Sequence, residues 1–241
     1  MGTPIIEIAG LRKVYRIGSE KVVALNSIQL TIEKGECCCL LGTSGSGKST
    51  LLNMMAGLEK PTKGTVKIRG ELVSAMSEKK LARFRQDHLG FIFQSYNLLP
   101  SLTAMENVGL PLAFKGISKR AREKRAAKLL EAVGLGTRLK HKPSQMSGGQ
   151  QQRVGIARAF AANPEIVFAD EPTGNLDTKT TIEVMELMTA MARAKNQTLV
   201  IVTHDLEIAA YADRIVRIRD GVIEGIEVKD KTMNESVGVV K

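Results

Sequence analysis

The chain has 241 residues, enough for one domain or for one domain carrying an inserted subdomain. An apolar fraction of 43% describes a globular protein that buries a core, yet no stretch reaches the roughly 18–20 apolar residues of a membrane-spanning helix. The formal charge of +10 raises anionic partners, but much of the excess (Lys119, Arg120, Arg122, Lys124, Arg125, Lys128) falls in one stretch that lacks the interleaved aromatics of a strand-binding surface, so a solvated helix face is the plain reading and nucleic acid is not expected.

The N-terminus has no basic segment, long apolar run or cleavage-like site, and Gly2 is not followed by a myristoylation pattern. Any membrane role is therefore expected to come through a partner. Short strands are predicted at 5–8, 22–25 and 28–32, the last alternating cleanly. Cys37-Cys38-Cys39 open a continuous apolar run to Leu41 that reads as a buried strand. Neighbours on a strand point to opposite faces, so the three thiols read as small buried hydrophobes and not as a metal cage.

That strand runs into Gly42-Thr43-Ser44-Gly45-Ser46-Gly47-Lys48-Ser49-Thr50, which matches G-x-x-x-x-G-K-[ST]. Glycines let successive N–H groups curl around a phosphate, and the helix predicted from Lys48 adds its unpaired N-terminal donors. Lys48 supplies a cation for the β- and γ-phosphates of a nucleotide, and Ser49 a hydroxyl for Mg²⁺. A strand is predicted at 65–68 and another at 90–93, ending at Gln94. From there to Pro164 nearly everything reads as helix, including 119–133 and 150–162. Met146-Ser147-Gly148-Gly149-Gln150 starts the second of these, with Ser147 as N-cap and glycines that admit close approach.

Strand signals resume at 166–169, and Asp170-Glu171 follow directly. A buried strand ending in an acid places Asp170 at the carboxyl edge of the sheet beside the phosphate loop, where it can hold the Mg²⁺ shell, and Glu171 is the candidate to orient or deprotonate water. A helix at 180–194, a strand at 198–203 ending at His204, and a hairpin turned by Asp220-Gly221 complete the pattern. Alternation of strand and helix around a phosphate loop predicts a parallel α/β core with an inserted helical segment at about 95–163. One domain is expected over 1–228, and the charged tail 229–241 reads as disordered.

Phosphate loop, Ser-Gly-Gly-Gln and Asp-Glu-Pro-Thr, in this order, resemble the ATP-binding subunit of ABC transporters, over roughly residues 4–226. Residues 94–111 and the run Asp170-Glu171-Pro172-Thr173-Gly174-Asn175-Leu176-Asp177 resemble its macrolide-export and lipoprotein-release (MacB/LolD-type) branch, which also serves FtsX-like permeases. The resemblance implies a P-loop NTPase core with an N-terminal antiparallel β-subdomain, ATP and Mg²⁺ as ligands, and ATP hydrolysis. It implies a head-to-tail dimer in which Ser147, Gly148, Gly149 and Gln150 of one copy close over the γ-phosphate held by Lys48 of the other, with Asp177 linking the two sites. Gln94 would sense γ-phosphate and Mg²⁺ while its loop touches the permease, and His204 would hold γ-phosphate and water. Tyr15 matches the aromatic that stacks on adenine, packing being its other reading. The chain would sit at the inner face of the cell membrane through that permease. Met146 stands for the usual leucine, and Gly174-Asn175 for the Ser-Ala of many cassettes. A mechanical or signalling cassette, whose permease-like partner moves no substrate, is a second reading. A nucleic-acid-associated cassette is disfavoured by the single phosphate loop and short insertion.

Overall fold

The computed structural model describes residues 2–229. Two strands, β1 (Pro4–Ile17) and β2 (Glu20–Glu33), pair along their whole length and carry the antiparallel sheet ordered β2-β1-β4-β5, with β4 at Lys63–Ile68 and β5 at Glu71–Leu72. Here the structure lengthens the predicted strands. The stretch 5–8 continues to Ile17 through register shifts at Leu11 and Lys13, and 22–25 fuses with 28–32 across Ser27, whose φ is 56°. Bulges interrupt the period-two alternation without ending the pairing, which is why the segments looked separate.

The second sheet, ordered β10-β9-β3-β8-β7-β6, is the parallel core with one antiparallel edge strand. Its strands are β3 (Cys37–Leu41), β6 (Leu89–Phe93), β7 (Ile166–Asp170), β8 (Thr198–Thr203), β9 (Arg214–Arg219) and β10 (Val222–Val228). Helices α1 (Lys48–Met55), α5 (Gly148–Ala161), α6 (Thr178–Arg193) and the short α7 (Leu206–Ala209) cover it. A sheet buried on both faces needs strands that are apolar throughout, and all five residues of β3 and all six of β8 are buried. The cysteines divide as expected. Cys38 joins the core shared with α1 and the antiparallel sheet, while Cys37 and Cys39 face α5, α6 and α7. Burial pushes the Cys37 and Cys39 thiols up to about 12 and Cys38 higher still, which makes all three inert.

Helices α2 (Glu78–His88), α3 (Ala104–Phe114) and α4 (Lys119–Ala132) complete the chain. No element is predicted at α2, because only Leu81 and Phe84 of its eleven residues are buried and most of the others are charged. A third core joins α3, α4 and α5 through Val108, Leu112, Leu130 and Val154. Thus α5 presents Ile156 and Phe160 to the sheet and Val154 and Ala157 to the helices. The predicted hairpin turn stands, with φ of 46° at Asp220 and 74° at Gly221. Of the tail expected at 229–241, residues 230–241 lie outside the described ones.

Candidate active site

Strand register brings the predicted residues to one edge. Leu41 pairs with Thr203, Asp170 with Val202, and Phe93 with Asp170. The residues that follow (Gly42, His204, Glu171 and Gln94) therefore leave the sheet side by side at its carboxyl edge, the usual place for ligands in a parallel sheet. A cleft of about 790 Å³ opens there, lined by Gly42 to Gly45, Gly47 to Thr50, Gln94, Glu171 and His204.

The loop conformation depends on its glycines. Gly47 has φ of 101°, and a Cβ on it would stand 2.6 Å from the Ala24 carbonyl oxygen. A Cβ on Gly42 would collide with the Ile218 carbonyl. Gly47 is also the N-cap of α1 and offers no side-chain acceptor, so the first-turn N–H groups have no capping side chain and face the cleft. The Lys48 ammonium donates to the carbonyls of Gly42 (2.7 Å) and Thr43 (2.8 Å), arching back over the loop. Ser46 differs from its neighbours in the loop. It does not line the cleft but is buried beneath it, where its N–H donates to Thr43 and its carbonyl accepts from Gly221, lacing the loop to the β9–β10 hairpin.

Ser49 Oγ donates to Asp170 Oδ1 at 3.2 Å. The Asp170 carboxyl is raised above its ordinary range, chiefly by burial; the Ser49 hydrogen bond lowers it, Glu171 raises it and Lys48 lowers it. Glu171 has φ of 44°, and its N–H donates to the Val202 carbonyl at 2.9 Å. Its carboxylate is gripped at both oxygens: Oε2 accepts from Thr203 Oγ1 at 3.2 Å, and Oε1 lies 2.9 Å from His204 Nδ1. An acid and an imidazole in contact at the cleft wall form a unit able to hold and deprotonate water.

Ser147, Gly148, Gly149, Gln150 and Asp177 are not brought to this cleft. They line a second one of about 310 Å³ together with Asn175 and Thr180. Ser147 and Gln150 form a reciprocal capping box at the start of α5, and Asp177 caps α6 by accepting from Thr180 N (3.0 Å) and Thr180 Oγ1 (2.7 Å), bonds that hold its carboxyl below its usual range. Within the chain the two glycines admit neighbours: a Cβ on Gly148 would stand 2.8 Å from Tyr96 Oη, and one on Gly149 2.6 Å from Thr180 Cγ2. Tyr15 lies outside both clefts. Its hydroxyl donates to Glu59 at 2.8 Å and the Lys13 ammonium stands 4.9 Å from its ring centre, while burial and then Glu59 raise its phenol above the ordinary value against a lowering contact from Thr50 at the loop's end.

Sequence reasoning missed one wall of the first cleft, made by Arg217, Ile218, Arg219 and Glu224. Arg217 pairs with Leu41 in the β3–β9 register, so tertiary pairing puts it there. The only local signal was a pair of arginines at alternate positions of a strand.

The ABC transporter family model matches residues 25–174. An uncharacterized ABC transporter ATP-binding protein of Thermotoga maritima is 53% identical over 223 residues, 92% of this chain and 95% of its own. The macrolide export ATP-binding/permease protein MacB of a Shewanella species is 46% identical over 96% of this chain, which spans 36% of that protein. Among solved structures, the ATP-binding cassette MJ0796, a dimer in a post-hydrolysis state bound to ADP and Pi, aligns with a TM-score of 0.87 at 43% identity, over 93% of this chain and 98% of its own. A chain this similar along nearly all of its length belongs to the ABC transporter family and is one of the family's ATPases.

Proposed function

We propose that the chain is the ATP-hydrolysing motor of a membrane transporter, and that two copies close on two Mg-ATP to move separate permease subunits of the MacB or FtsX-like type. The observation that carries the reading is the division of the site. Lys48, Gln94, Glu171 and His204 line one cleft, and the Ser147–Gln150 turn and Asp177 line another. Two copies packed head to tail bring the second cleft of each over the first cleft of its twin, which supplies a helix N-terminus to the γ-phosphate. The solved relative MJ0796 is a dimer, and the MacB relatives carry a permease in their names, which supports both partners.

In this scheme the loop N–H groups and Lys48 hold the β- and γ-phosphates. Glu171, oriented by Thr203 and His204, takes the proton of the attacking water, whose oxygen bonds to the γ-phosphorus as the bond to the β–γ bridging oxygen breaks. With Nδ1–H donating to Glu171, His204 donates to a γ-phosphoryl oxygen through Nε2–H in its imidazolium form. The Ser49 hydroxyl, the Asp170 carboxylate and the Gln94 amide oxygen form an all-oxygen donor set that suits Mg²⁺ alongside phosphates and water. Bound there, the ion neutralises phosphate charge. Among the described residues no helix is long and apolar enough to cross a membrane. The permease would place the chain at the inner membrane face. Export is the transport class that the MacB-named relatives favour, and handling of lipoproteins or peptides rests on the resemblance carried by Asp170 to Asp177.

The test is Glu171→Gln, which keeps the shape of the side chain and removes the base. Turnover should fall by about 10²-fold or more, and Mg-ATP should shift the protein to a stable dimer in size-exclusion chromatography. A variant that stays monomeric with ATP and hydrolyses normally would defeat the reading.

A further inference from the structure

Gln94 and Glu171 follow different strands, and their relative placement depends on what joins the two loops. The Gln94 loop is held in an uncommon shape: Tyr96 (φ 60°) and Asn97 (φ 49°) both occupy the left-handed region, which non-glycine residues keep only where neighbours enforce it. Arg158 of α5 donates to the carbonyls of Asn97 (2.5 Å) and Tyr96 (2.8 Å). Asn175 donates through Nδ2 to the carbonyl of Gln94 itself, at 3.0 Å. The residue before it makes the room. A Cβ on Gly174 would stand 2.7 Å from Gln94 Nε2 and 3.2 Å from its Cδ. Gly174 is in turn tied to the acid, its N–H donating to the Glu171 carbonyl at 3.2 Å.

We infer that Gly174 and Asn175 are positioning residues for hydrolysis: together they form a seat that sets the Gln94 amide relative to Glu171. The inference rests on the hydrolytic role proposed above for Gln94. Neither seat residue lines the cleft of Lys48 and Glu171. Gly174 contributes an absent methyl, and Asn175 a donor that fixes the backbone carrying the amide. An added Cβ at 174 would press on the free end of a flexible side chain, so it moves the amide without disturbing the core. Misplacing a reacting group by about 1 Å is enough to slow chemistry by orders of magnitude.

Three variants of the full chain test this: Asn175→Ala, which removes the donor without adding charge to the cleft; Gly174→Ala; and Gln94→Ala. With Mg-ATP, the first two should lower kcat by roughly 5–50-fold, leave KM and the affinity for a non-hydrolysable ATP analogue unchanged, and melt within a degree or so of the parent. Combined with Gln94→Ala, Asn175→Ala should cause no further loss. If Gln94→Ala is slow while Asn175→Ala and Gly174→Ala turn over at the parental rate, the seat is overturned and the role of Gln94 stands. An equal fractional loss from Asn175→Ala in the Gln94→Ala background would show a general structural effect and also overturn the seat. A Gln94→Ala variant at full rate would overturn both.

Discussion

Glu171 occupies a backbone region that costs a non-glycine residue roughly 1–3 kcal/mol, and it keeps that conformation because its N–H, Oε1 and Oε2 are each engaged. Its neighbour Asp170 is a second local conflict. The carboxyl is raised, chiefly by burial, so the folded chain holds that proton more firmly than the unfolded chain does. Its contribution to stability is therefore complete below the ordinary Asp value and lost as pH rises through the elevated one. Asp170→Asn removes this titration while leaving an acceptor for Ser49. Without nucleotide, the variant should match the parent near pH 4 and melt above it at neutral pH, whereas ATP turnover drops by about two orders of magnitude or more. Thermal denaturation across that pH range decides; a variant less stable than the parent at neutral pH would contradict the assignment of Asp170 as a strained, ligand-awaiting group.

At the scale of elements, the start of α5 is packed for a purpose that its sequence half disclosed. Ser147 capping is local, set by residues three apart, and could be read from the chain. The need for Gly149 is not local: the space is taken by Thr180 of α6. Gly149→Ala should destabilise the fold by about 1–3 kcal/mol despite the better helix propensity of alanine, and Thr180→Ser, which deletes the offending Cγ2 and keeps the hydroxyl on Asp177, should restore most of the loss in denaturant titration. The same contrast explains what else was legible. The phosphate loop, the acid-ended strand β7 and the Asp220-Gly221 turn are written in contiguous residues with one backbone solution each. Strand β1 is legible only in part because bulges break its period, and α2 is not, because its two buried side chains stand among mostly charged ones. Arg217 and Arg219 reach the cleft only through the β3–β9 register, and the Gly174–Gln94 contact only through the β6–β7 register. Neither pairing has a signature along the chain.

For the whole molecule, the separation of the two clefts makes a demand that a single copy does not meet. If each working site takes Lys48 from one copy and the Ser147 turn from its twin, two different defects reside in different halves of the same site. Lys48→Ala removes the phosphate cation, and Ser147→Asp places a negative charge where the γ-phosphate must approach; each variant alone should lose nearly all hydrolysis. Mixed in equal amounts, the two chains pair at random, and about half of the dimers contain one of each. In such a dimer one site carries both defects and the other carries neither, because the intact Lys48 of the Ser147→Asp chain meets the intact Ser147 of the Lys48→Ala chain. The mixture should therefore recover about a quarter of the parental ATPase rate. A site contained within one chain gives no recovery at any mixing ratio, since neither variant then holds a complete set of groups.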